Sequence, residues 1–380
     1  MVIMLVMSIG VASFYTANQY MKDRLADYKI ARSRAMGFKA FLLAQAGMHG
    51  ALGALKKIPE EQLYQSGIAF NPPPIPVGEG MVYYRIIPED GKFNLNNLVR
   101  TYDGSPNPRS IEMLARLLEQ FNLKPALINP IIDFIDENNN MIGGGAEEFY
   151  YANLKPPRKI KNGPLYTLSE LTSVKDFNVK LIYGSLKPDN FEEKKSQDFS
   201  TEEEKALITD SDYVLANNLT AYITVGDKVE DQININAAPY HVLMSLSEFM
   251  TRQAVMKILK LKIKKGGYIK ELKDLEKEPE FQIKTTPTMS QNPIQDPNNP
   301  QNNQQLPPPP DPNQNQNENE NDFTLYKELV GDGSELNKGR VKTKGDIYRI
   351  IGVGMIGHVT RKVSCIYDLQ NKQMLFYSED

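Results

Sequence analysis

Apolar residues in the first 57 positions form two successive patterns. Residues 1–15 are apolar and uncharged, about five short of the roughly 20 that a spanning helix needs. Apolar residues then recur at spacings of four and three, and no proline precedes Pro59. This pattern predicts one helix over residues 1–57, about 85 Å long, with its first third in lipid and its amphipathic remainder packed on a domain. Because neither a basic leader nor a small-residue cleavage site flanks it, we do not expect a removable signal peptide.

Alternating apolar positions predict strands on both sides of a long middle region. Residues 81–87 alternate with a period of two and end at the turn sequence PEDG. The carboxyl end returns to the same pattern over residues 346–355, 359–369 and 373–377. Between these strands, the sequence instead carries helical spacing.

The middle region contains two similar blocks. Each has an asparagine-rich start, paired short helices, a glycine and a Leu-x-x-Leu helix, and the starts read FNLN (residues 93–96) and ININ (residues 233–236). An asparagine side-chain oxygen accepts a free backbone N–H at a helix start. The sequence therefore predicts a duplicated helical module of the SAM-like or helix-hairpin-helix kind.

Helix-hairpin-helix modules raise the alternative of DNA binding. The linkers at residues 120–124 and 247–251 lack the hairpin glycine that would present backbone amides to phosphate, and the net charge is -3. A basic run includes Lys257, Lys260, Lys262, Lys264 and Lys265. Such a run is more often a solvated helix face, so we expect no nucleic-acid partner.

An acidic loop over residues 133–151 offers candidate metal chemistry. Counting from Asp136, oxygen side chains fall at the first, third, fifth and twelfth positions of a calcium loop (Asp136, Asn138, Asn140 and Glu147). An EF-hand requires glycine at its sixth position, where this chain has Met141. The loop therefore predicts either an oxygen-rich calcium site of another fold or a solvated polar turn.

Other candidate chemistry in the sequence is sparse. The single cysteine, Cys365, lies in an apolar alternating segment and is predicted to be a buried structural thiol. Three histidines lack ligand-like spacing. Glu147 and Glu148 are adjacent carboxylates, but no nucleophile motif accompanies them, so an enzyme is not predicted. Residues 291–321, rich in Pro, Asn and Gln, are predicted to form a disordered inserted loop.

These features together resemble the K-type minor pseudopilins of the type II secretion system. The resemblance rests on the long apolar first helix and on five segments in family order: residues 91–98 (GKFNLNNL), 131–136 (IIDFID), 145–151 (GAEEFYY), 161–165 (KNGPL) and 233–239 (ININAAP). No acidic residue occurs before residue 20, as in K-type members. The basic-Gly leader of the family is absent, so we expect either a mature or trimmed sequence or a start assigned too late.

The resemblance implies an α+β fold, in which a pilin-like helix packs on a small antiparallel sheet and an all-α domain of two modules is inserted between strands. The implied divisions are a helix (1–57), a β domain (58–92 and 324–380), an inserted helical domain (93–285) and a disordered loop (286–323). The inserted domain is expected to bind structural Ca²⁺. The predicted ligand set is Asp133, Asp136, Asn138, Asn140, Ile142, Glu147 and Glu148.

The implied function is that of a non-enzymatic subunit at the tip of the pseudopilus. It would lie in the inner membrane with its bulk in the periplasm, and would help to start assembly with the I- and J-type minor pseudopilins and the major pseudopilin. Two alternatives stay open: a membrane-anchored helix-hairpin-helix protein of DNA uptake, and a minor pilin of a type IV pilus.

Overall fold

A computed structural model describes residues 2–67, 70–186, 201, 218–226, 231–285, 324–331 and 338–379. The predicted loop at residues 286–323 lies outside the described residues. The fold is α+β, as predicted from the sequence, and consists of a long first helix, an antiparallel sheet and a mainly helical insert.

The first helix, α1, runs over Val2–Lys57, which matches the predicted length. Residues 2–35 are exposed, whereas one face of its carboxyl-terminal part is buried from Gly37 to Leu55. Its amino-terminal part is long and apolar enough to cross a membrane. A short helix, α2 (Glu60–Ser66), follows it.

Five antiparallel strands form the sheet on which α1 packs. Their order is β1-β2-β7-β8-β9, with bounds Ile75–Val77, Gly80–Pro88, Ile347–Ile356, Val359–Asp368 and Gln373–Glu379. The three carboxyl-terminal strands confirm the period-two prediction. Buried side chains of α1, including Ala44, Met48 and Leu55, pack against Ile350 and Cys365 of the sheet. Cys365 is buried as predicted, and burial raises the pKa of its thiol to about 11.

The insert connects β2 to β7, which are hydrogen-bonded neighbours in the sheet. Within its described residues, the α-helices are α3 (Pro108–Gln120), α4 (Ile128–Ile135), α5 (Glu148–Ala152), α6 (Val179–Tyr183), α7 (Tyr240–Ser245), α8 (Arg252–Lys264), α9 (Lys273–Glu276) and α10 (Leu325–Val330). Leu168–Ser173 forms a 3-10 helix where the first Leu-x-x-Leu helix was predicted. The insert is not purely helical, because two parallel two-residue ladders pair β3 (Phe93–Asn94) with β4 (Ile223–Thr224) and β5 (Ile233–Asn234) with β6 (Val341–Lys342).

The insert has its own core, and residues beyond the predicted domain boundary at residue 324 belong to that core. Leu325, Leu329 and Val341 are buried among the residues of the insert. The sheet therefore resumes only at Ile347. Asp90 joins the two ends of the insert: its Oδ2 accepts hydrogen bonds from the backbone N–H groups of Asp346 and Ile347 at 2.7 and 2.9 Å.

The two predicted modules share one hydrogen-bond arrangement. Asn96 exchanges two hydrogen bonds with the backbone of Leu165, at 2.9 and 2.8 Å. Asn236 makes the same pair with the backbone of Ile269, at 2.9 and 2.8 Å. Each clamp fastens the start of a module to the residue three positions before its Leu-x-x-Leu segment. This shared geometry supports the predicted duplication.

Candidate metal centre

The acidic loop is an extension of the first module. In the second module, α8 is followed by a short turn at Gly266 and Gly267, both with positive φ, before the clamp at Ile269. In the first module, residues 136–164 occupy the corresponding connection after α4. The predicted metal loop therefore lies where the two modules differ.

Helix α4 supplies two carboxylates to this loop. Six of its residues besides Asp133 are buried, and most of them are apolar, so Asp133 is held inside the insert by the packing of its neighbours. Asp136 follows directly as the residue at which the helix ends, with an extended backbone. Both side chains are fully buried, with exposed fractions of 0% and 1%.

Glu147 reaches the same place from the other end of the loop. It immediately precedes α5, whose Tyr151 is buried against Phe134 of α4 with ring centroids 5.8 Å apart. This aromatic contact fixes α5 on α4 and so brings Glu147 to the two aspartates. One oxygen from each of Asp133, Asp136 and Glu147 lies within 4.8 Å of the others.

The three carboxylates are short of hydrogen-bond partners. Asp133 Oδ1 accepts a hydrogen bond from the backbone N–H of Ile142 at 3.1 Å. Among the described residues, Asp133 Oδ2 and both oxygens of Asp136 and Glu147 are buried without a partner in hydrogen-bond geometry. Buried polar atoms in folded proteins are nearly always paired. These five oxygens are therefore the strongest sign in the described residues that a ligand completes the site.

The electrostatics of the cluster lead to the same inference. Burial, together with the charge of Asp133, raises the pKa of Asp136 to about 6. Burial and the charges of both aspartates raise the pKa of Glu147 to about 7. Burial also raises the pKa of Asp133. Like charges this close disfavour joint ionisation unless a cation joins them.

Neighbouring side chains hold the backbone of the loop. Asn129 Nδ2 donates to the carbonyl of Gly143 at 2.6 Å, and Asn162 Nδ2 donates to that of Asn138 at 3.3 Å. Lys175 Nζ donates to the carbonyls of Gly144 and Gly145 at 2.9 and 3.1 Å. The loop is therefore anchored at several points by residues outside it.

These residues fit a hard divalent cation. Calcium takes six to eight oxygen ligands, and carboxylates are the usual anionic ones. Asp133, Asp136 and Glu147 would hold such an ion, and the ion would supply charge that cancels their repulsion. Adjacent Glu148 is exposed, so Glu147 and Glu148 do not form a carboxylate pair directed at one substrate.

The remaining predicted ligands lie outside this cluster of three. Asn138, Asn140 and Glu148 are exposed. Asn138 Oδ1 accepts a hydrogen bond from the backbone N–H of Asn140 at 2.7 Å, and the carbonyl of Ile142 accepts one from Gly145. The sequence reasoning missed Asn129, Asn162, Lys175 and Gly145 as supports. Of these, only Asn129 could have been found from the sequence, because it lies one helical turn before Asp133 and so on the same face of the helix.

The basic run on α8 is engaged within the chain. Lys257 pairs with Glu278 at 2.7 Å, and Lys265 pairs with Asp274 at 2.9 Å. Lys262 donates to the carbonyl of Asn236. These contacts make the run a structural feature of the second module rather than the wholly solvated face that was predicted.

The described elements define a class: a pilin-like protein whose long first helix packs on an antiparallel sheet that carries a large helical insert. Within that insert, residues 91–188 match the family described as Type II secretion system (T2SS), protein K. No curated protein matches the chain.

A solved structure extends the similarity over most of the chain. It is the GspK-GspI-GspJ complex from the enterotoxigenic Escherichia coli type 2 secretion system, with a TM-score of 0.53 and 14% identity, covering 92% of this chain and 99% of that chain. At this identity the likeness shows the fold alone. Together with the match of the insert, it confirms the predicted resemblance to the K-type proteins.

Proposed function

We propose that the chain is a K-type minor pseudopilin that acts as a non-enzymatic subunit at the tip of a type II secretion pseudopilus. The observation that carries this proposal is the K-type insert placed between two neighbouring strands of a pilin-like sheet. In this proposal, the exposed apolar part of α1 lies in the inner membrane and the rest of the chain lies in the periplasm.

The shape of the chain supports a place at the tip. Pilin-like subunits stack through their long helices, and the insert here adds a second lobe with a core of its own beside the sheet. A lobe of this size would obstruct neighbours along the fibre, whereas at the tip it faces free space. The lack of an acidic residue before residue 20 also suits a terminal subunit, since no further subunit lies above it whose amino group would need an acidic partner.

Complex formation tests the assignment. The full chain in detergent, mixed with the I- and J-type minor pseudopilins of the same bacterium, is expected to elute with both as one species in size-exclusion chromatography. The major pseudopilin is expected to join this complex. Separate elution of all three minor subunits, together with salt-dependent retention of the chain on DNA, would instead favour the DNA-uptake alternative.

We propose further that Asp133, Asp136 and Glu147 bind one structural Ca²⁺. The five unpartnered carboxylate oxygens support this proposal. A ligand that binds only the folded state stabilises it by about 2.7 kcal/mol at a hundredfold excess over its dissociation constant. Thermal melting of the full chain with calcium or with a chelator is therefore expected to show a higher melting temperature in calcium.

The combined change Asp136→Ala with Glu147→Ala is expected to abolish this calcium-dependent rise. Magnesium at the same concentration is expected to raise the melting temperature less, because Mg²⁺ demands stricter octahedral geometry and sheds its water reluctantly. Identical melting of the unaltered chain in calcium and in chelator would refute the metal proposal while leaving the pseudopilin assignment intact.

A further inference from the structure

A groove of about 810 Å³ lies between the sheet and the insert, on the side of the sheet opposite α1. The sheet forms its floor through two rows of cross-strand neighbours. One row is Arg85, Ile351, Ser364 and Ser378, and the next is Ile87, Arg349, Ile366 and Phe376. Each row crosses β2, β7, β8 and β9.

Positive charge accumulates at one end of this floor. Lys92 and Arg349 line the groove and share the buried carboxylate of Glu89, at 3.2 and 2.6 Å. Arg85 is exposed beside them on β2. Lys92 and Arg349 thus share one acid, Arg85 and Lys362 add further basic groups to the lining, and the described residues that line the groove include no Asp or Glu.

The opposite wall belongs to the insert and offers polar and aromatic groups. Tyr166 and Tyr183 line it and are 60% and 44% exposed. Thr167, Ser169 and Asn218 add hydroxyl and amide groups between them. Such a wall can hydrogen-bond a peptide backbone and pack against apolar side chains.

We propose that this groove binds an acidic, extended peptide segment of a partner protein. The four strands, spaced about 4.8 Å apart, give a floor about 14 Å long, which matches about four residues in extended conformation. Each row carries one arginine among apolar and hydroxyl side chains, so a segment that has both acidic and apolar side chains complements the floor. The groove lies apart from the metal cluster, and the proposal depends on neither the metal nor the pseudopilin assignment.

Fluorescence anisotropy with the full chain in detergent tests this proposal. The probe is a fluorescein-labelled, end-capped hexapeptide of alternating glutamate and leucine. Its matched control contains glutamine in place of glutamate, which keeps the shape and removes the charge. We expect saturable binding of the glutamate peptide that weakens with added salt, and binding of the glutamine peptide that is at least about tenfold weaker.

Three variants test whether the peptide binds in the groove. Arg85→Glu reverses an exposed charge on the floor and is expected to weaken binding at least about tenfold. Ser364→Tyr narrows the groove without changing its charge and is expected to weaken binding as well. Arg361→Glu is the matched control: Arg361 is an exposed arginine of the same sheet, near Gly37 of α1 on the opposite side, and its reversal is expected to leave binding within about twofold.

The proposal is overturned by any of three results: no saturable binding of the glutamate peptide, equal weakening by Arg85→Glu and Arg361→Glu, or full binding to Ser364→Tyr. Equal displacement by a single-stranded oligonucleotide of matched charge also overturns it, because the groove would then be a general anion surface. Melting curves of each variant, compared with that of the unaltered chain, confirm that the sheet remains folded.

Discussion

Asp133, Asp136 and Glu147 are buried together although each disfavours the ionisation of the others. The raised pKa values of Asp136, about 6, and Glu147, about 7, exceed the ordinary values of these groups. The metal-free folded state therefore binds protons more tightly than the unfolded state between about pH 4 and pH 7. The contribution of the cluster to stability is present below that window and is lost as the pH rises through it.

Replacing Glu147 with glutamine separates the effect of charge repulsion on stability from the effect of metal binding. In chelator at pH 8, Glu147→Gln is expected to melt at a higher temperature than the unaltered chain, because one buried charge is gone. The difference is expected to shrink toward pH 5, where Glu147 is protonated in the folded state. In calcium the unaltered chain is expected to melt at the higher temperature, since the variant lacks a ligand.

Glu148→Gln is the matched control for this comparison, because Glu148 is adjacent in sequence and exposed. It is expected to keep the calcium-dependent rise in melting temperature. Melting curves at several pH values, with calcium and with chelator, check both variants. A Glu147→Gln variant that is less stable than the unaltered chain in chelator at pH 8 would show that repulsion within the cluster is not significant.

Gly145 sets the position of Asp133. A Cβ atom at residue 145 would lie 1.9 Å from Asp133 Oδ2, so Gly145→Ala must displace that carboxylate. We expect this change to reduce the calcium-dependent rise in melting temperature by at least about half. Gly143→Ala is the control, because no atom of the described residues lies within 4 Å of a Cβ there. An unchanged calcium response in Gly145→Ala would remove Asp133 from the proposed ligand set.

At the scale of elements, the contact of α1 with β7 depends on two glycines. A Cβ at Gly352 would lie 2.1 Å from the carbonyl oxygen of Ala44, and one at Gly354 would lie 2.0 Å from that of Ala40. The helix backbone therefore approaches the strand more closely than any larger residue permits. The small residues of α1 on this face, Ala40, Ala44, Gly47 and Ala51, are buried for the same reason.

We expect Gly352→Ala to lower the free energy of unfolding by about 1–3 kcal/mol, because backbone atoms must move to admit the methyl group. Gly50→Ala is the control on α1, where a Cβ would meet no atom of the described part of the chain within 4 Å. It is expected to raise helix stability by up to about 1 kcal/mol. Thermal or denaturant unfolding of the full chain in detergent measures both. Equal stability of the two variants would contradict the close contact.

Some elements of this fold can be predicted from the sequence and others cannot. The first helix and the strands were predicted from periodicity, because each packs one face on a core and repeats that face along its length. The asparagines were predicted to start helices. Asn94 does so, because its side chain accepts the backbone N–H of Asn96 at the start of a 3-10 helix, whereas Asn234 accepts that of Asn236 at the start of a turn. Asn96 and Asn236 themselves bind the backbone of distant residues, which no local pattern records.

For the site, the loop and its three acids were predicted as part of a larger candidate ligand set, but their burial and the supports were not. Asn162 and Lys175 reach the loop only through the packing of the insert, so their role has no signal in sequence spacing. The boundary at residue 324 was misplaced for a related reason. Helix α10 has six residues, too few for a periodic pattern that would assign it to the core of the insert.

For the whole molecule, the two cores differ in their dependence on α1. Ala44, Met48 and Leu55 of α1 belong to the core of the sheet, whereas the core of the insert contains no residue of α1 among the described positions. Removing residues 1–57 would therefore uncover the apolar face of the sheet and leave the insert packed. A fragment that begins at residue 30 would keep every residue of α1 that is buried.

We therefore expect residues 30–380 to form a soluble protein in which both lobes are folded. Residues 58–380 are expected to retain the calcium-dependent melting of the insert but to lose the transition of the sheet and to aggregate through the exposed strands. Calorimetry in calcium and in chelator distinguishes the two lobes, because only the insert contains the acidic cluster. If the shorter fragment kept both transitions, the sheet would not depend on α1, and the helix would serve the membrane and the fibre rather than the fold.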